Sequence, residues 1–434
     1  MKVQSVITGI IAEFDPFHNG HEYLIQEAFT QTHADYIIVI LSGSFTQRGS
    51  IAIYDTSTRA HMALLGGADA VFEMPSAFST ASAEDFAMYG VSLLGSLGVR
   101  YIAFGCEDTN ANELYALADI MEQESDDYIG ALKLYLKQGM SYAAASHRAL
   151  LYDLKASGLP EDSVMRTSDI ISKPNNILGL EYCRSIIRLA SPIRPIAIER
   201  QGVSHDSDVP HGIYKSASAI RHDIHAHTLA YDAQGITSHS LEIPSIQKYV
   251  PEDIYEIIIN SHPMFADDLV YSTTRHIHRL VSSSTRLDVY ADVSSDLADR
   301  IANTQGFYSD MESYILSLKT KQYTYARVSR ALTHIMLGIT KEKMNLYKSG
   351  RYSPYARLLG FRRESLELLS VLKENTSVPI ISKMADASDI LSDDASAYSL
   401  LMDEVFASDM YRSYYYEKYG IELASIYTQQ MVII

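Results

Sequence analysis

Apolar and polar positions follow two alternating patterns over residues 5–105. Four short apolar runs have the length of buried strands: residues 6–12, 36–41, 70–73 and 101–104. Three stretches between them have apolar side chains at helical spacing: residues 21–30, 57–65 and 83–97. Strands that alternate with helices predict a parallel sheet covered by helices, an α/β fold of the Rossmann-like type.

The rest of the chain is mostly helical in pattern. Residues 110–156 lack strand-like runs, and residues 196–199 form one further strand-like run. We therefore expect a helical insertion at about 110–160 inside a first domain of residues 1–235. Helical periodicity dominates from Leu241 onward, with polar breaks near 282–284 and 349–354, which predicts a mainly α-helical second domain over 236–434.

Composition limits where the protein works. Apolar residues make up 47% of the 434 residues, and Cys106 and Cys183 are the two cysteines, which is typical of a reducing compartment. The apolar run at 6–12 ends at Glu13 and Asp15 without a preceding cationic cluster, so it indicates a strand and not a signal peptide. No run approaches the roughly 18 apolar residues that span a bilayer. We expect a cytoplasmic protein without a membrane partner.

Cations are concentrated in one stretch of an otherwise acidic chain. The net charge is −17, which argues against general nucleic-acid binding. Residues 319–363 are an exception, because eleven Lys and Arg residues are spread over this stretch. The first four are Lys319, Lys321, Arg327 and Arg330, and the stretch also contains Tyr323, Tyr325, Tyr352 and Tyr355. Cations for phosphates and aromatic rings for unstacked bases are what recognition of an RNA loop requires. The alternative is an ordinary solvated helix face.

The chemistry-bearing motif is His18-Asn19-Gly20-His21, at the turn from the first strand into the first helix. Ligands of open α/β sheets bind at that edge, where helix N-termini present N–H groups to phosphate. Gly20 lets the backbone approach closely, and two imidazoles three residues apart can stabilise charge that develops on a phosphate. A chance occurrence of structural histidines is the alternative, and a metal site lacks a third ligand at suitable spacing.

A second candidate is the hydroxyl-rich helix start at residues 215–221. Ser218 and Arg221 there have the chemistry to hold the β- and γ-phosphates of a nucleotide. Residues 42–49 follow the second strand and therefore lie at the same sheet edge. Arg48 in that segment has two open interpretations: it contacts a phosphate or an RNA backbone, or it is a solvated loop side chain.

Five fragments in order along the chain resemble the bacterial tRNA(Met) cytidine acetate ligase family, and residues 321–330 resemble its helical region. They are EFDPFHNGH at 13–21, SGSFTQRG at 42–49, FGCE at 104–107, PNNILGLEY at 174–182 and SASAIR at 216–221. The resemblance implies a nucleotidylyltransferase fold of the HxGH type. It also implies an enzyme that activates acetate with ATP to acetyl-adenylate and then acetylates N4 of the wobble cytidine of elongator tRNA(Met), without acetyl-coenzyme A.

The resemblance also implies site residues. By their own chemistry, and as hypotheses, His18, His21, Ser218 and Arg221 would be catalytic. Lys319, Lys321, Arg327 and Arg330 of the cationic stretch would contact tRNA. Mg²⁺ is expected on the ATP phosphates, with few protein ligands. ATP would be held by Ile11, Ala12, Glu13, Phe14, Pro16, Phe17, His18, Asn19, Gly20, His21, Leu24, Gly105, Arg200 and either Asn175 or Asn176.

Two other functions stay open at this stage. A conventional nucleotidylyltransferase would make a cofactor or a precursor on the same fold, because fold does not determine reaction. A non-catalytic RNA-binding protein could retain the ATP pocket as a nucleotide sensor. The intact histidines and the Ser218/Arg221 turn argue against a sensor, since it has no need for groups directed at a transition state.

Overall fold

The computed structural model describes residues 5–107, 109–201, 211–233, 242–304 and 306–434. Its strands are β1 (Ile7–Ala12), β2 (Tyr36–Ser42), β3 (Ala70–Met74), β4 (Tyr101–Cys106), β5 (Arg194–Glu199), β6 (Ala356–Phe361), β7 (Ile380–Ile381) and β8 (Val432–Ile433). They form one sheet in the order β5-β4-β1-β2-β3-β6-β7, and β8 pairs with β6. The first five strands are parallel, which confirms the predicted α/β fold class.

The helices surround this sheet and fill most of the C-terminal half. They are α1 (Asn19–Thr32), α2 (Thr56–Leu65), α3 (Ser76–Ser79), α4 (Ala83–Ser96), α5 (Ala111–Gln123), α6 (Asp126–Lys137), α7 (Tyr142–Ala156), α8 (Glu161–Ile170), α9 (Pro174–Arg188), α10 (Ala217–Ala233), α11 (Glu252–Ile259), α12 (Val270–Ser282), α13 (Ser295–Asn303), α14 (Met311–Leu318), α15 (Tyr325–Leu337), α16 (Lys341–Ser349), α17 (Leu366–Asn375), α18 (Ala387–Ile390) and α19 (Ala395–Tyr419). In the part of the chain that the structure describes, no helix is both long and apolar enough to cross a membrane.

Side chains of β2 are buried on both faces of the sheet, which explains its unbroken apolar sequence. Ile37, Val39 and Leu41 pack with α1, α2, α10 and α11 on one face. Ile38 and Ile40 face the opposite side, where α4, α9 and the C-terminal helices pack. Two hydrophobic layers therefore hold the central strands rigidly and support the loops at their carboxyl ends.

The C-terminal half contributes a strand that the sequence pattern did not predict. All six residues of β6 are buried, and β6 pairs antiparallel with β3 at what would otherwise be an exposed sheet edge. Periodicity alone cannot distinguish a short buried run of this kind from a helix segment. The boundary predicted at 235/236 lies within 234–241, outside the described residues, so the division into two domains stays a prediction.

Candidate nucleotide-binding site

The two histidines of the motif lie at the start of α1, next to the point where the strand order reverses between β1 and β4. His18 is the N-cap residue, and its Nδ1 accepts a hydrogen bond from the Gly20 backbone N–H at 3.0 Å. The Nδ1 of His21 accepts from the His18 backbone N–H at 3.3 Å. The rings are stacked with centroids 3.7 Å apart. This reciprocal cap fixes both side chains at the positive end of the α1 dipole.

The same hydrogen bonds determine which nitrogen of each ring carries hydrogen. A ring nitrogen that accepts a hydrogen bond is not protonated, so neutral His18 and His21 have their N–H at Nε2. The rings are stacked with an interplanar angle of 22°, so the two imidazoles lie side by side at the start of α1. Each neutral ring carries one N–H, at Nε2, and such a donor suits a phosphate oxygen.

Close packing explains the glycine and the aromatic residues of the motif. A Cβ atom at Gly20 would lie 2.9 Å from Cε1 of His18, so a larger residue would displace the ring. Phe14 and Phe17 are buried, and their ring centroids lie 4.8 and 5.5 Å from that of His21. Pro16 is also buried, whereas four other predicted contacts are half-buried: Ile11, Ala12, Asn19 and Leu24. The apolar residues thus support the histidines from below.

A buried arginine that the sequence analysis missed holds the loops after β1 and β2 together. Arg59 is 0% exposed and donates to the backbone oxygens of Tyr54 at 3.0 Å and Glu13 at 2.8 Å. It also donates to Ser42 Oγ at 3.0 Å and to the Gly43 carbonyl. The signal in the sequence was a cation on the apolar face of a predicted helix.

Glu13 and Asp15 bind backbone N–H groups of the segment that follows β2. Glu13 Oε1 accepts from Gln47 N at 2.6 Å, and Asp15 Oδ1 accepts from Ile53 N at 2.7 Å. Burial raises the pKa of the Glu13 carboxyl, although the hydrogen bond from Gln47 opposes that effect. Both acidic side chains therefore shape the loop that carries His18.

The second predicted motif is brought to the first, as expected. Arg221 Nη1 donates to the Asp15 carbonyl at 2.5 Å and lies 3.6 Å from Asp15 Oδ2, and Nη2 donates to Ser218 Oγ at 3.2 Å. Asn19 Nδ2 donates to the backbone oxygens of Ile213 and Lys248. The start of α10 is thus attached to the start of α1, with Arg221 next to the loop that precedes His18.

The carboxyl ends of β4 and β5 provide a second wall. A Cβ atom at Gly105 would lie 3.2 Å from Cγ of Arg200, so these residues are in close contact. Arg200 Nε is buried without a hydrogen-bond partner among the described residues. Burial lowers the pKa of Arg200, and Glu107 opposes this effect. An unsatisfied buried donor at a ligand-binding edge fits an acceptor atom of a bound ligand.

The two asparagines that the sequence left undecided differ in their environments. Asn176 is fully buried and exchanges hydrogen bonds of 2.8 Å with the backbone N–H and carbonyl of Glu107, with a further donation to Ile170. Asn175 is half-buried and donates to the Glu107 side chain. The hydrogen-bonding groups of Asn176 are committed to structure, so Asn175 is the candidate for ligand contact.

The predicted tRNA contacts are not equivalent. Lys319 and Lys321 are exposed beside the start of α15, and the Arg327 guanidinium lies 5.1 Å from the centre of the Tyr323 ring. Arg330 Nε donates to Asp292 at 2.8 Å, and this cation holds the pKa of Asp292 below its usual value against the opposing effect of burial. Arg330 is therefore held in an internal ion pair.

Cations in the later part of the same stretch stabilise the fold through internal ion pairs. Three cations form ion pairs within the protein: Lys343 with Asp403, Lys348 with Asp85, and Arg357 with Glu73. The expectation that tyrosines of this stretch are available for base stacking was wrong for Tyr323 and Tyr355, which are 4% and 0% exposed. Both rings are buried in the hydrophobic core. Amino-acid composition cannot distinguish a tyrosine buried in the core from one that stacks on an RNA base.

Known proteins match this chain over nearly its whole length. A family model described as HIGH nucleotidyl transferase matches residues 5–423. A "tRNA(Met) cytidine acetate ligase" of Clostridium acetobutylicum is 35% identical over 411 residues, which cover 93% of this chain and 98% of that protein. A protein of the same name from Acetivibrio thermocellus is 33% identical, with 98% and 99% covered.

Solved structures agree with the sequence relatives. A crystal structure of Thermotoga maritima TmcAL bound with alpha-thio ATP matches with a TM-score of 0.85 at 26% identity, and the match covers 99% of each chain. The apo form of the same protein matches with a TM-score of 0.87. The similarity therefore includes both the α/β sheet and the helical C-terminal half.

Proposed function

Because the chain belongs to the HIGH nucleotidyl transferase family, among its tRNA(Met) cytidine acetate ligases, we propose that it uses ATP and acetate to acetylate N4 of the wobble cytidine of elongator tRNA(Met). One observation carries the chemical part of the proposal. The stacked imidazoles of His18 and His21 lie at a helix N-terminus, and Arg221, which binds Ser218, is attached next to them through Asp15. That arrangement suits an anion with several phosphates.

The first step is formation of acetyl-adenylate. An acetate oxygen attacks the α-phosphorus of ATP, the bond from phosphorus to the bridging β-phosphate oxygen breaks, and pyrophosphate leaves. His18 and His21 donate to α-phosphate oxygens, where charge increases in the transition state. Arg221, with Ser218, holds the departing pyrophosphate. Because the cap already fixes both rings, little reorganisation accompanies the reaction.

The remaining ATP contacts follow from the second wall of the site. Gly105 lets the nucleotide approach the end of β4, and the buried Nε of Arg200 donates to it. Asn175 supplies a further side-chain contact. In the described part of the chain no group of three His, Cys, Asp or Glu side chains converges to hold a metal ion. Mg²⁺ would be held by the ATP phosphate oxygens and would supply charge neutralisation there.

The second step transfers the acetyl group. The N4 amine of the cytidine attacks the carbonyl carbon of acetyl-adenylate, the bond from that carbon to the phosphate oxygen breaks, and AMP leaves while N4 releases a proton. Lys319, Lys321 and Arg327 are proposed to bind the tRNA backbone, and Arg330 to hold α15 in place through Asp292. The reaction is proposed to take place in the cytoplasm, where tRNA and ATP are available.

Pyrophosphate release with purified protein, ATP and Mg²⁺ tests the proposal, with acetate and tRNA(Met) added or omitted. Acetate-dependent release, with labelled acetate appearing on cytidine of the tRNA, is the expected result. Release that is independent of acetate would indicate a conventional nucleotidylyltransferase. ATP binding without any release would indicate a nucleotide sensor.

A further inference from the structure

Residues 45–51 form a tight hairpin, here called the Arg48 hairpin, after the end of β2. Phe45 and Ile51 form an antiparallel bridge, and Thr46 N donates to the Ser50 carbonyl at 2.9 Å. Gly49 closes the turn with a φ of 74° and donates to the Thr46 carbonyl at 2.8 Å. Arg48 is exposed at the tip of this turn. A short hydrogen-bonded turn holds the backbone of its tip residue in a fixed position.

One side of the Arg48 hairpin is attached to the loop that carries the HxGH motif. Gln47, which directly precedes Arg48, donates its backbone N–H to Glu13 Oε1 at 2.6 Å. Just beyond the hairpin, Ile53 N donates to Asp15 Oδ1 at 2.7 Å. The position of Arg48 relative to the histidines is therefore set by two charge-assisted hydrogen bonds.

The other side of the hairpin is attached to α15, the helix that carries Arg327. The Gly49 carbonyl accepts from Ser329 Oγ at 2.8 Å and from Thr333 Oγ1 at 2.7 Å. A Cβ atom at Gly49 would lie 2.4 Å from Arg330 N, so hairpin and helix backbones are in direct contact. The Arg48 hairpin thus connects the nucleotide loop with α15, whose start lies beside the exposed cations Lys319 and Lys321.

We propose that Arg48 binds a backbone phosphate of the tRNA anticodon loop and so positions the target cytidine over the acetyl-adenylate. This rests on the proposed function, which requires one RNA to be held by cations near α15 while its base reaches the loop after β1. Arg48 lies at the junction of those two places, and its guanidinium can bind a phosphate through two hydrogen bonds. The ATP phosphates have their own partners in the histidine pair and in Ser218 with Arg221.

Arg48→Ala, Arg48→Lys and a matched control, Arg194→Ala, test this inference in the full chain. Arg194 is also exposed, but it is the first residue of β5. It therefore lies at the amino ends of the parallel strands, whereas Arg48 follows the carboxyl end of β2. We expect Arg48→Ala to weaken binding of fluorescent tRNA(Met) and to lower kcat/KM for tRNA by about 10- to 100-fold. Its acetate-dependent ATP–pyrophosphate exchange should stay within about twofold of the unmodified chain.

The dependence of tRNA affinity on salt supplies a second readout. Loss of one phosphate contact lowers the slope of log affinity against log salt by about one, so Arg48→Ala should show this change and Arg194→Ala should not. Arg48→Lys should keep the slope and recover part of the affinity. Equal loss of exchange and of tRNA affinity would assign Arg48 to ATP and overturn the inference, as would unchanged tRNA binding.

The proposed function and this inference fail in different ways. Absence of acetate-dependent exchange or of acetylation in the unmodified chain would contradict the proposed function before any variant is compared. The tRNA-binding measurements need no chemistry, so they still decide whether Arg48 contacts RNA phosphate.

Discussion

Replacing Arg59 by methionine would remove the side chain that joins the loops after β1 and β2. The change keeps most of the buried volume but leaves three carbonyl oxygens, those of Glu13, Gly43 and Tyr54, without this donor. Each unsatisfied buried carbonyl costs about 1–3 kcal/mol. Removal of a buried charge offsets part of that cost. We therefore expect a loss of about 4 kcal/mol in the free energy of unfolding.

The expected change in melting temperature follows from chain length. At about 2.1 cal/mol/K per residue, the unfolding entropy of a chain of this length is about 0.9 kcal/mol/K, so Tm should fall by roughly 4 °C. Because Arg59 holds the Glu13 carbonyl, the variant should also show an ATP KM raised by about tenfold. Thermal unfolding with and without ATP, and exchange kinetics, measure these effects. Arg59→Lys is the control that keeps the charge but loses the planar fork.

A variant that unfolds within 1 °C of the unmodified chain and keeps its ATP KM would refute this reasoning. It would mean that the loops after β1 and β2 hold their positions without Arg59. A lowered Tm with unchanged ATP KM would instead limit Arg59 to a structural role, because the loop around His18 would then be independent of it.

Two other predictions concern the asparagines and a buried carboxyl. Asn175→Ala should raise the ATP KM by about tenfold with little change in Tm. Asn176→Ala should instead lower Tm, because it leaves the backbone N–H and carbonyl of Glu107 without their hydrogen-bond partner. Thermal unfolding and ATP–pyrophosphate exchange assays distinguish the two effects. Burial first, and then the nearby Glu73, raises the pKa of Glu404 to about 8. A raised carboxyl pKa means that the folded state binds more protons than the unfolded state, so this group reduces stability as pH rises from about 4.5 to 8. Glu404→Gln should therefore raise Tm more at pH 8 than at pH 5, and an equal change at both values would contradict the raised pKa.

The sequence was sufficient for the parts of the fold with strong periodicity. The strands β1 to β5 and the helices α1, α2 and α4 were predicted with ends that differ from the structure by only a few residues. β6 was not predicted, because a buried run of six residues has no distinctive period and its partner β3 lies far away in sequence. Long-range pairing of this kind is not encoded in a local pattern.

The site residues that belong to a sequence motif could be predicted, whereas those whose role depends on tertiary contacts could not. The sequence placed His18 and His21 at a helix start, and the structure adds the reciprocal cap that orients them. It could not distinguish Asn175 from Asn176, because their difference is the tertiary contact with Glu107. Arg330 resembled an RNA contact in sequence until its ion pair with Asp292 was known.

The most direct test of the central claim is isolation of the intermediate. The protein is mixed with labelled acetate, ATP and Mg²⁺ in the presence of pyrophosphatase and without tRNA, and the protein-bound nucleotide is then separated and presented with tRNA(Met). We predict acetyl-adenylate in the unmodified chain, its transfer to cytidine N4 on addition of tRNA, and its loss in His18→Ala and His21→Ala. Acetylation of tRNA without any acetyl-adenylate, or undiminished acetyl-adenylate in both variants, would contradict the account.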